Sequence, residues 1–332
     1  MNNLPPPPAK KATWEAHAIP GINVLLRRWT GTPRSGVPVI DPGYVFREDL
    51  VRELAWSAWP HDGGAPMNCL LVGPKGSGKT SLVLQVAARC GIPVYRVNLN
   101  VGTTVRHLKG RPAAENGGTM FVPGVATMAA EEGAWLVLDE LSGVTPPVAL
   151  ALLPILEPDG AILLEDEQPP RYVQRHPDFR VFGTDNTIGA EQEEGRFSYA
   201  GTNSDMNEAL MDRFGTTIQV GYLDPVKEVA AIRAVVPGID MDDLEGLIRV
   251  ARACRSQSDL GVSFSHRMLV DWARRVAAGV VGADGVMLPP SVDDSRILQA
   301  AYPAFLTRMR SRVERDAVAE HIRRIFSIGG GA

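Results

Sequence analysis

Short apolar runs alternate with amphipathic stretches from Val39 to about Leu223, and this alternation predicts strands that are separated by helices. Each run is only four to six residues long, as strands buried inside a parallel sheet commonly are. We therefore predict an α/β fold in which a five-stranded, mostly parallel sheet carries helices on both faces. The predicted strands are Asn68–Val72, Val94–Asn98, Trp135–Leu138, Phe179–Gly183 and Thr217–Val220.

Two segments of this region do not fit a simple alternation of strands and helices. The segment Gly110–Pro123 has two adjacent glycines in its middle, and the apolar run of Ala161–Val173 breaks at Asp166–Pro170 and then resumes. A turn signal between two apolar runs predicts a β-hairpin. We expect both hairpins to project from the rim of the sheet.

The pattern changes on either side of this region. Residues 1–37 are rich in proline and glycine, which predicts a flexible N-terminal arm with one short amphipathic piece around Ile22–Trp29. After Asp224 the strand signals end and helical periodicity begins, which predicts a separate all-helical domain. The predicted domains are therefore an arm over 1–37, an α/β domain over 38–223 and a helical domain over 224–332. The predicted helices of the last domain are Pro225–Val236, Met241–Arg255, Ser265–Ala278 and one long stretch from Asp294 to Phe326.

Composition narrows the range of possible functions. The 332 residues are 45% apolar, which suffices for one large domain and a smaller companion. A net charge of −4 gives no electrostatic footprint for nucleic acid, so nucleic acid is not an expected partner. The three cysteines are odd in number and far apart in the chain, which favours reduced thiols and a cytoplasmic location. Residues 1–11 lack the pattern of a secretory signal, and the sequence has no apolar run of about eighteen residues, so we expect neither a secretory signal nor a membrane segment.

A glycine-rich segment follows the apolar residues Leu70–Val72 and precedes a helix-like stretch that begins at Ser81. It matches the phosphate-binding pattern G-x-x-x-x-G-K-[ST] in full, between a strand and a helix as that pattern requires. Glycines let consecutive backbone N–H groups curl around a phosphate, and the helix N-terminus adds partial positive charge. An ordinary glycine-rich turn is the alternative interpretation. We predict that the phosphates of ATP bind at Gly73, Pro74, Lys75, Gly76, Ser77, Gly78, Lys79, Thr80 and Ser81.

Two acids end the strand Trp135–Leu138 and form the second half of the predicted site. Ligands of such sheets bind beyond the carboxyl ends of the strands. We therefore expect Asp139 to hold Mg²⁺ together with the Thr80 hydroxyl, and Glu140 to polarise the attacking water. Lys79 is expected to bridge the β- and γ-phosphates.

Three further polar residues are candidates for contact with the transferred phosphate. Asn186 follows a later strand, where its amide can bind the γ-phosphate and the attacking water, or can cap a turn. Arg213 ends a helix-like stretch that starts at Asn203, where it can satisfy the last carbonyls or act as an arginine finger in a neighbouring subunit. Arg267 opens a predicted helix, where the helix dipole disfavours a cation, so we expect it to face an anion.

Taken together, these motifs resemble the MoxR branch of the AAA+ ATPases, and within it the CobS-type ATPase subunit of the cobalt-inserting chelatase. The similarity spans most of the chain. The matching elements are the phosphate loop, Leu138-Asp139-Glu140, the Asn186 strand tip, Met211–Phe214, Ser265–Arg267, Ile40–Phe46, Gln85–Arg89, Arg96–Leu99 and His176–Arg180.

The resemblance implies a homo-oligomeric ring, a hexamer, that binds ATP and Mg²⁺ between subunits. Arg213 would act on the ATP of the neighbouring subunit, and Arg267 would act in its own subunit as the second sensor. The two hairpins would face the axis of the ring. Members of this branch are similar in pairing with a partner that bears a von Willebrand A domain, so such a partner is expected here.

Several positions depart from the chelatase pattern. Thr184-Asp185-Asn186 stands where Thr-Ala-Asn is usual, and Ser265-His266-Arg267 stands where Ser-Pro-Arg is usual. These changes leave the ATP chemistry intact but touch other surfaces, so a motor with a different client, for example one encoded on a mobile element, stays open. A DNA-associated NTPase and a nucleotide-gated scaffold stay open as well.

Overall fold

The computed structural model describes residues 14–32, 34–59, 65–115, 118–186, 209–256, 264–279, 295–309 and 311–326. The chain forms two compact units. The first unit consists of Met1–Pro42, Phe46–Gly73 and Gly78–Val220, and the second consists of Gly43–Val45, Pro74–Ser77 and Gly221–Ala332. The middle of the phosphate loop is thus grouped with the second unit.

Strands and helices alternate in the first unit, and helices prevail in the second. The strands are β1 (Trp14–Ala18), β2 (Leu25–Trp29), β3 (Cys69–Val72), β4 (Val94–Asn98), β5 (Gly110–Glu115), β6 (Gly118–Pro123), β7 (Trp135–Asp139), β8 (Ala161–Leu164), β9 (Arg171–Gln174), β10 (Arg180–Asp185) and β11 (Thr216–Gln219). The helices are α1 (Glu48–Ala58), α2 (Lys79–Cys90), α3 (Val105–Lys109), α4 (Val125–Glu132), α5 (Pro146–Leu156), α6 (Pro225–Val235), α7 (Met241–Ser256), α8 (His266–Ala278), α9 (Ser295–Ala304) and α10 (Arg312–Ile325). Two short 3₁₀ helices span Leu141–Gly143 and Leu306–Arg308.

The central sheet has the spatial order β11–β3–β10–β7–β4, and every neighbouring pair is parallel. This confirms the predicted five-stranded parallel sheet, with strand bounds that differ from the predicted ones by at most two residues. The carboxyl ends of β3, β7 and β10 therefore lie side by side at one edge. The phosphate loop, Asp139 and Asp185 all lie at that edge.

Successive side chains of a strand point to opposite faces of the sheet, and both faces are buried here. On one face, Leu136 and Leu138 join a cluster that includes residues of α4 and α5. On the other face, Trp135 and Val137 join a cluster that includes residues of α1 and α2. The prediction of helices on both faces is confirmed, and the strands that carry the predicted site are fixed from both sides.

Two antiparallel hairpins lie where the sequence suggests them. Strands β5 and β6 pair from Gly110 opposite Pro123 onward, and β8 and β9 pair from Ala161 opposite Gln174. Each hairpin forms a separate two-stranded sheet outside the central one.

The N-terminal arm is a correction to the sequence analysis. Residues 1–37 are predicted to be flexible, but β1 and β2 form an antiparallel hairpin within this range. Leu26 is buried in the cluster that includes residues of α1 and α2, and Trp14 meets Trp29 edge to face. Burial of these apolar side chains offsets the conformational entropy that a proline- and glycine-rich segment loses on ordering. Residues 1–13 lie outside the described residues.

The second unit is helical from Pro225 onward in the part that the structure describes. Its core packs around Trp272, whose ring meets Phe264 and Phe305 and whose Nε1 donates to the carbonyl of Ile297 at 3.0 Å. The first three helices start and end within one residue of the predicted positions. Within the described residues, no helix has the length and apolar character that crossing a membrane requires.

The long final helix predicted from Asp294 to Phe326 is a second correction. Two helices, α9 and α10, occupy this range and are separated by a 3₁₀ turn. Pro303 lies in the last turn of α9, where its missing N–H removes one hydrogen bond to the preceding turn and so weakens this end of the helix. Ser311 and Glu314 then form a capping box that starts α10. The sequence carries both signals, but helical periodicity continues through them.

Candidate active site

The loop from Gly73 to Thr80 joins β3 to α2, and its glycines adopt conformations that other residues avoid. Gly73 has φ 152°, and a Cβ there would lie 2.2 Å from the carbonyl oxygen of Val220. Gly78 is left-handed with φ 96° and directly precedes α2. Such a loop leaves backbone N–H groups and the helix N-terminus available for an anion. The loop geometry therefore suits a phosphate.

One side chain of this loop has an unsatisfied group. The hydroxyl of Ser77 is buried and has no hydrogen-bond partner within the part of the chain that the structure describes. Buried polar groups normally have a partner, and a phosphate oxygen would accept this hydrogen bond. The residues present therefore fit a nucleotide phosphate.

Lys79 is buried at the start of α2, with 7% of its surface exposed. Its ammonium group donates to the carbonyl oxygen of Gly73 at 2.8 Å and to Oδ1 of Asn186 at 2.8 Å. Burial lowers the pKa of Lys79, and the carboxylates of Asp185, Asp139 and Glu140 act in the opposite direction. The structure thus brings Lys79 and Asn186 together, although they are 107 residues apart in the chain.

Asp139 ends β7 with 3% of its surface exposed and has three polar partners. Its Oδ1 accepts hydrogen bonds from the hydroxyls of Thr80, at 2.6 Å, and Thr184, at 2.8 Å. Its Oδ2 pairs with Nε of Arg96. Oxygen atoms from a carboxylate and a hydroxyl are the ligands that Mg²⁺ prefers, so Thr80 and Asp139 fit this metal.

Glu140 follows Asp139 in a left-handed conformation with φ 59°. Among the described residues it is the only non-glycine residue with a positive φ. That conformation costs roughly 1–2 kcal/mol and tends to persist where function requires it. Its backbone N–H donates to the hydroxyl of Thr184 at 3.4 Å, and the residue is exposed next to buried Asp139. Glu140 is therefore accessible to solvent water beside Asp139.

Comparison with known proteins agrees with this geometry. Residues 68–214 match the family model of the AAA domain (dynein-related subfamily). The aerobic cobaltochelatase subunit CobS of Sinorhizobium sp is 33% identical over 88% of this chain and 83% of its own length. The chain belongs to the MoxR family of AAA+ ATPases. It is therefore a P-loop ATPase.

Other MoxR-type relatives carry different names. The gas vesicle ATPase GvpN of Ancylobacter aquaticus is 30% identical over 88% of this chain and 81% of its own length. The protein NorQ of Paracoccus denitrificans is 28% identical over 69% of this chain and 81% of its own length. The similarity therefore extends to relatives whose names differ from that of CobS.

The contacts of Arg213 in this MoxR-family chain are with residues other than Lys79, Asp139 and Asn186. Its guanidinium group contacts Glu157, with distances of 3.0 Å from Nε and 2.8 Å from Nη2 to the same carboxylate oxygen. It also donates to the carbonyl oxygen of Ala209, and its own carbonyl accepts from the Asn68 side chain. The first part of the stretch predicted to be helical from Asn203 lies outside the described residues. A role of Arg213 in a neighbouring subunit stays a prediction.

Arg267 lies in the first turn of α8 and is exposed. The Ser265 hydroxyl caps this helix by accepting a hydrogen bond from the N–H of Met268 at 3.2 Å. Arg267 thus lies at the start of a helix of the second unit, as predicted. The role of Arg267 toward ATP stays a prediction.

The site residues predicted from the sequence do not include Arg96, Thr184 or Asp185. Thr184 and Arg96 hold Asp139, and buried Asp185 accepts a hydrogen bond from the N–H of Asn186 at 2.6 Å. Thr184 and Asp185 carry a usable signal, because both are polar residues that directly follow a predicted parallel strand, whereas Arg96 lies in the middle of one. Only the strand order, in which β7 lies between β4 and β10, tells which acid they meet.

Proposed function

We propose that this chain is a Mg-ATP-hydrolysing ring motor that remodels or activates a partner protein. One observation carries the proposal: the Thr80 hydroxyl of the phosphate loop donates to Asp139 of a separate strand at 2.6 Å. Phosphate binding and metal binding would then share one edge of the sheet. In this proposal the α/β domain of residues 38–223 binds the nucleotide and the helical domain of 224–332 acts as the lid.

Lys79 would exchange its present partners for phosphate oxygens. Its ammonium now binds a neutral carbonyl and the neutral Asn186 amide, and a phosphate anion is a stronger partner for a cation than either. When bound, Mg²⁺ would neutralise charge on the β- and γ-phosphates. Thr80 and Asp139 would hold that ion, and Asn186, once released, would orient the attacking water.

Glu140 would accept the proton of the attacking water. A carboxylate within reach of a water can act as a general base, and the exposed position of Glu140 admits one. Asp139 is unsuited to this role, because it is buried and already has three polar partners. The two adjacent acids therefore have different tasks.

The proposal also includes a ring of subunits and a partner protein. Arg213 would leave Glu157 to reach the ATP of a neighbouring subunit in a hexameric ring, and Arg267 would contact the phosphates in its own subunit. A protein with a von Willebrand A domain is the proposed partner. Relatives of this chain are named for cobalt chelation and for gas vesicles, so we assign a protein client without assigning cobalt insertion.

Replacing Glu140 tests the proposal. Glu140→Gln keeps the shape of the side chain but removes the base, so nucleotide affinity should stay unchanged while turnover falls by roughly 10² to 10⁴-fold. The measurements are phosphate release and binding of a fluorescent ADP analogue, each with and without Mg²⁺. Glu131→Gln, at an exposed acid that pairs with Arg171, is the matched control and should behave like the wild type. Wild-type turnover in Glu140→Gln would refute the assignment.

Mixing two inactive variants tests the ring. Arg213→Ala should bind nucleotide but hydrolyse it slowly, because its neighbour's site lacks the cation. Mixed with Glu140→Gln, it forms interfaces in which one chain supplies the base and the other supplies the arginine, so activity should return. Activity that stays at the level of the separate variants would argue against a role of Arg213 across an interface.

A further inference from the structure

A buried carboxylate in the second unit is held from two directions. Glu228, in α6, has none of its surface exposed. Its two oxygens accept hydrogen bonds from Nη1 and Nη2 of Arg255, at 3.0 and 2.9 Å. Oε1 also lies 3.2 Å from Nδ1 of His266, the residue before Arg267. The side chain of Arg255 is itself only 8% exposed.

These contacts keep the carboxylate ionised. Burial alone would raise the pKa of Glu228, but the hydrogen bonds and charges of His266 and Arg255 outweigh it and leave the pKa below its ordinary value of 4.5. A bidentate pair between a guanidinium group and a carboxylate fixes orientation as well as distance. The pair therefore constrains the geometry of whatever is attached to it.

Arg255 extends the network to the phosphate loop. Its Nε donates to the carbonyl oxygen of Phe264 at 2.8 Å, and its guanidinium group stacks on the ring of Tyr222 at 3.9 Å. The hydroxyl of Tyr222 donates to the carbonyl oxygen of Lys75 at 3.1 Å. The buried guanidinium group of Arg255 therefore contacts Glu228 of α6 and Phe264, the residue before the helix cap. Through Tyr222 it is also connected to the phosphate loop.

The main chain that carries Arg267 is held at consecutive residues. Phe264 is bound through its carbonyl oxygen and His266 through its ring. Between them, Ser265 caps the helix and lies against the phosphate loop, since a Cβ on Gly76 would be 2.5 Å from the Cβ of Ser265. Arg267 is the next residue, and its own side chain is exposed.

We infer that the network of Glu228, Arg255 and His266 positions Arg267 relative to the phosphate loop. Glu228 and Arg255 are positioning residues in this scheme, since they act through Arg267 and do not touch the nucleotide. The inference rests on the proposed function, in which Arg267 contacts the phosphates of ATP. A network that only stabilised the fold would affect turnover with or without Arg267, and this difference can be measured.

A double-mutant cycle makes that measurement. Glu228→Gln should lower kcat by about tenfold, because small misplacements of a positioned group can cost one to two orders of magnitude in rate. In the Arg267→Ala background, the same substitution should lower kcat by less than about twofold, since the residue it positions is gone. Affinity for a fluorescent ADP analogue should change by less than about twofold in both backgrounds, because the phosphate loop is intact. Equal losses of kcat in the two backgrounds would overturn the inference.

Two further variants serve as a second test of the network and as a control for the loss of any ion pair in this unit. His266→Ala removes the second link and leaves the Arg255 pair, so it should follow the same pattern with a smaller loss and keeps the test decisive if Glu228→Gln does not fold. Asp243→Asn breaks another ion pair of this unit, with Arg296, and should leave kcat unchanged. A loss of kcat in Asp243→Asn equal to that in Glu228→Gln would also overturn the inference. Failure of the wild type to hydrolyse ATP would instead refute the proposed function.

Discussion

Buried charges are held differently in the two units of this chain. At the edge of the sheet, Lys79 contacts a backbone carbonyl and a side-chain amide, and Asp139 contacts two hydroxyls and the half-exposed Arg96. In the helical unit, Glu228 and Arg255 are both buried and form a bidentate pair. Four of these five sheet-edge contacts are to neutral groups, whereas the contacts between Glu228 and Arg255 pair opposite charges.

The charged groups at the sheet edge can therefore exchange their protein partners for a ligand, whereas Glu228 and Arg255 keep each other as partners. A hydrogen bond between an ion and a neutral group lacks the Coulomb attraction of two opposite charges, so a phosphate or a metal ion can displace the neutral partner. Two buried ions that pair with each other cannot exchange partners in this way, because separating them leaves a buried charge without a counter-ion. The sheet edge is therefore suited to ligand binding, and the helical network is suited to fixed geometry.

Among these buried charges, loss of the Lys79 ammonium group should have the largest effect on turnover. Lys79→Ala should lower ATP turnover by about 10²-fold to 10³-fold, because it removes a preorganised cation that faces the developing charge. Phosphate release measures this loss, and equilibrium binding of an ADP analogue separates it from a loss of affinity. Lys227→Ala, at a lysine that pairs with Asp224 on the surface, is the control. Near-normal turnover in Lys79→Ala would show that the sheet edge is not the site of hydrolysis.

The next effect concerns the closed pair and is one of stability. Arg255→Met keeps most of the side-chain length but leaves the Glu228 carboxylate buried without its counter-ion, which should lower the free energy of unfolding by about 3–5 kcal/mol. Urea unfolding followed by tryptophan fluorescence measures the change, since Trp272 lies in this core. The control is Arg312→Met, which breaks an exposed pair with Asp316 and should cost less than about 1 kcal/mol.

The pH dependence of that loss has a definite sign. In the wild type the pKa of Glu228 is lowered, so its contribution is present above its ordinary value of 4.5 and is lost as the pH falls through the folded-state pKa. In Arg255→Met the largest counter-charge is gone and burial raises the pKa, so the variant is penalised most when the carboxyl is ionised. The difference between the two proteins should therefore shrink from about pH 7 to about pH 4. A difference that grew toward acid pH would contradict the ion-pair account.

Local patterns predict the sheet and most of the site, because strand length, glycine spacing and strand-end acids are properties of neighbouring residues. The loop at Gly73 and the two acids at the end of β7 are examples. Local patterns do not predict the N-terminal hairpin, because the burial of Leu26 depends on α1 and α2, which come later in the chain. For the same reason, the partners of Asp139 and the pairing of Glu228 with Arg255 follow only from the folded arrangement.

The smallest expected effect concerns the Mg²⁺ concentration that nucleotide binding requires. Two substitutions of partners of Asp139 should change this concentration in opposite directions, which tests whether those partners can be exchanged for the metal. Thr184→Val removes a hydrogen bond that orients Asp139, so the Mg²⁺ concentration needed for nucleotide binding should rise by about fivefold, the equivalent of one hydrogen bond of about 1 kcal/mol. Arg96→Ala removes a cation that competes with the metal for the same carboxylate. The required Mg²⁺ concentration should therefore fall, by about twofold, because a partly exposed ion pair contributes less than about 1 kcal/mol. Titration of nucleotide binding with Mg²⁺ measures both. A rise in Arg96→Ala would mean that Arg96 orients Asp139 as Thr184 does, and that the pair is fixed like the one between Glu228 and Arg255.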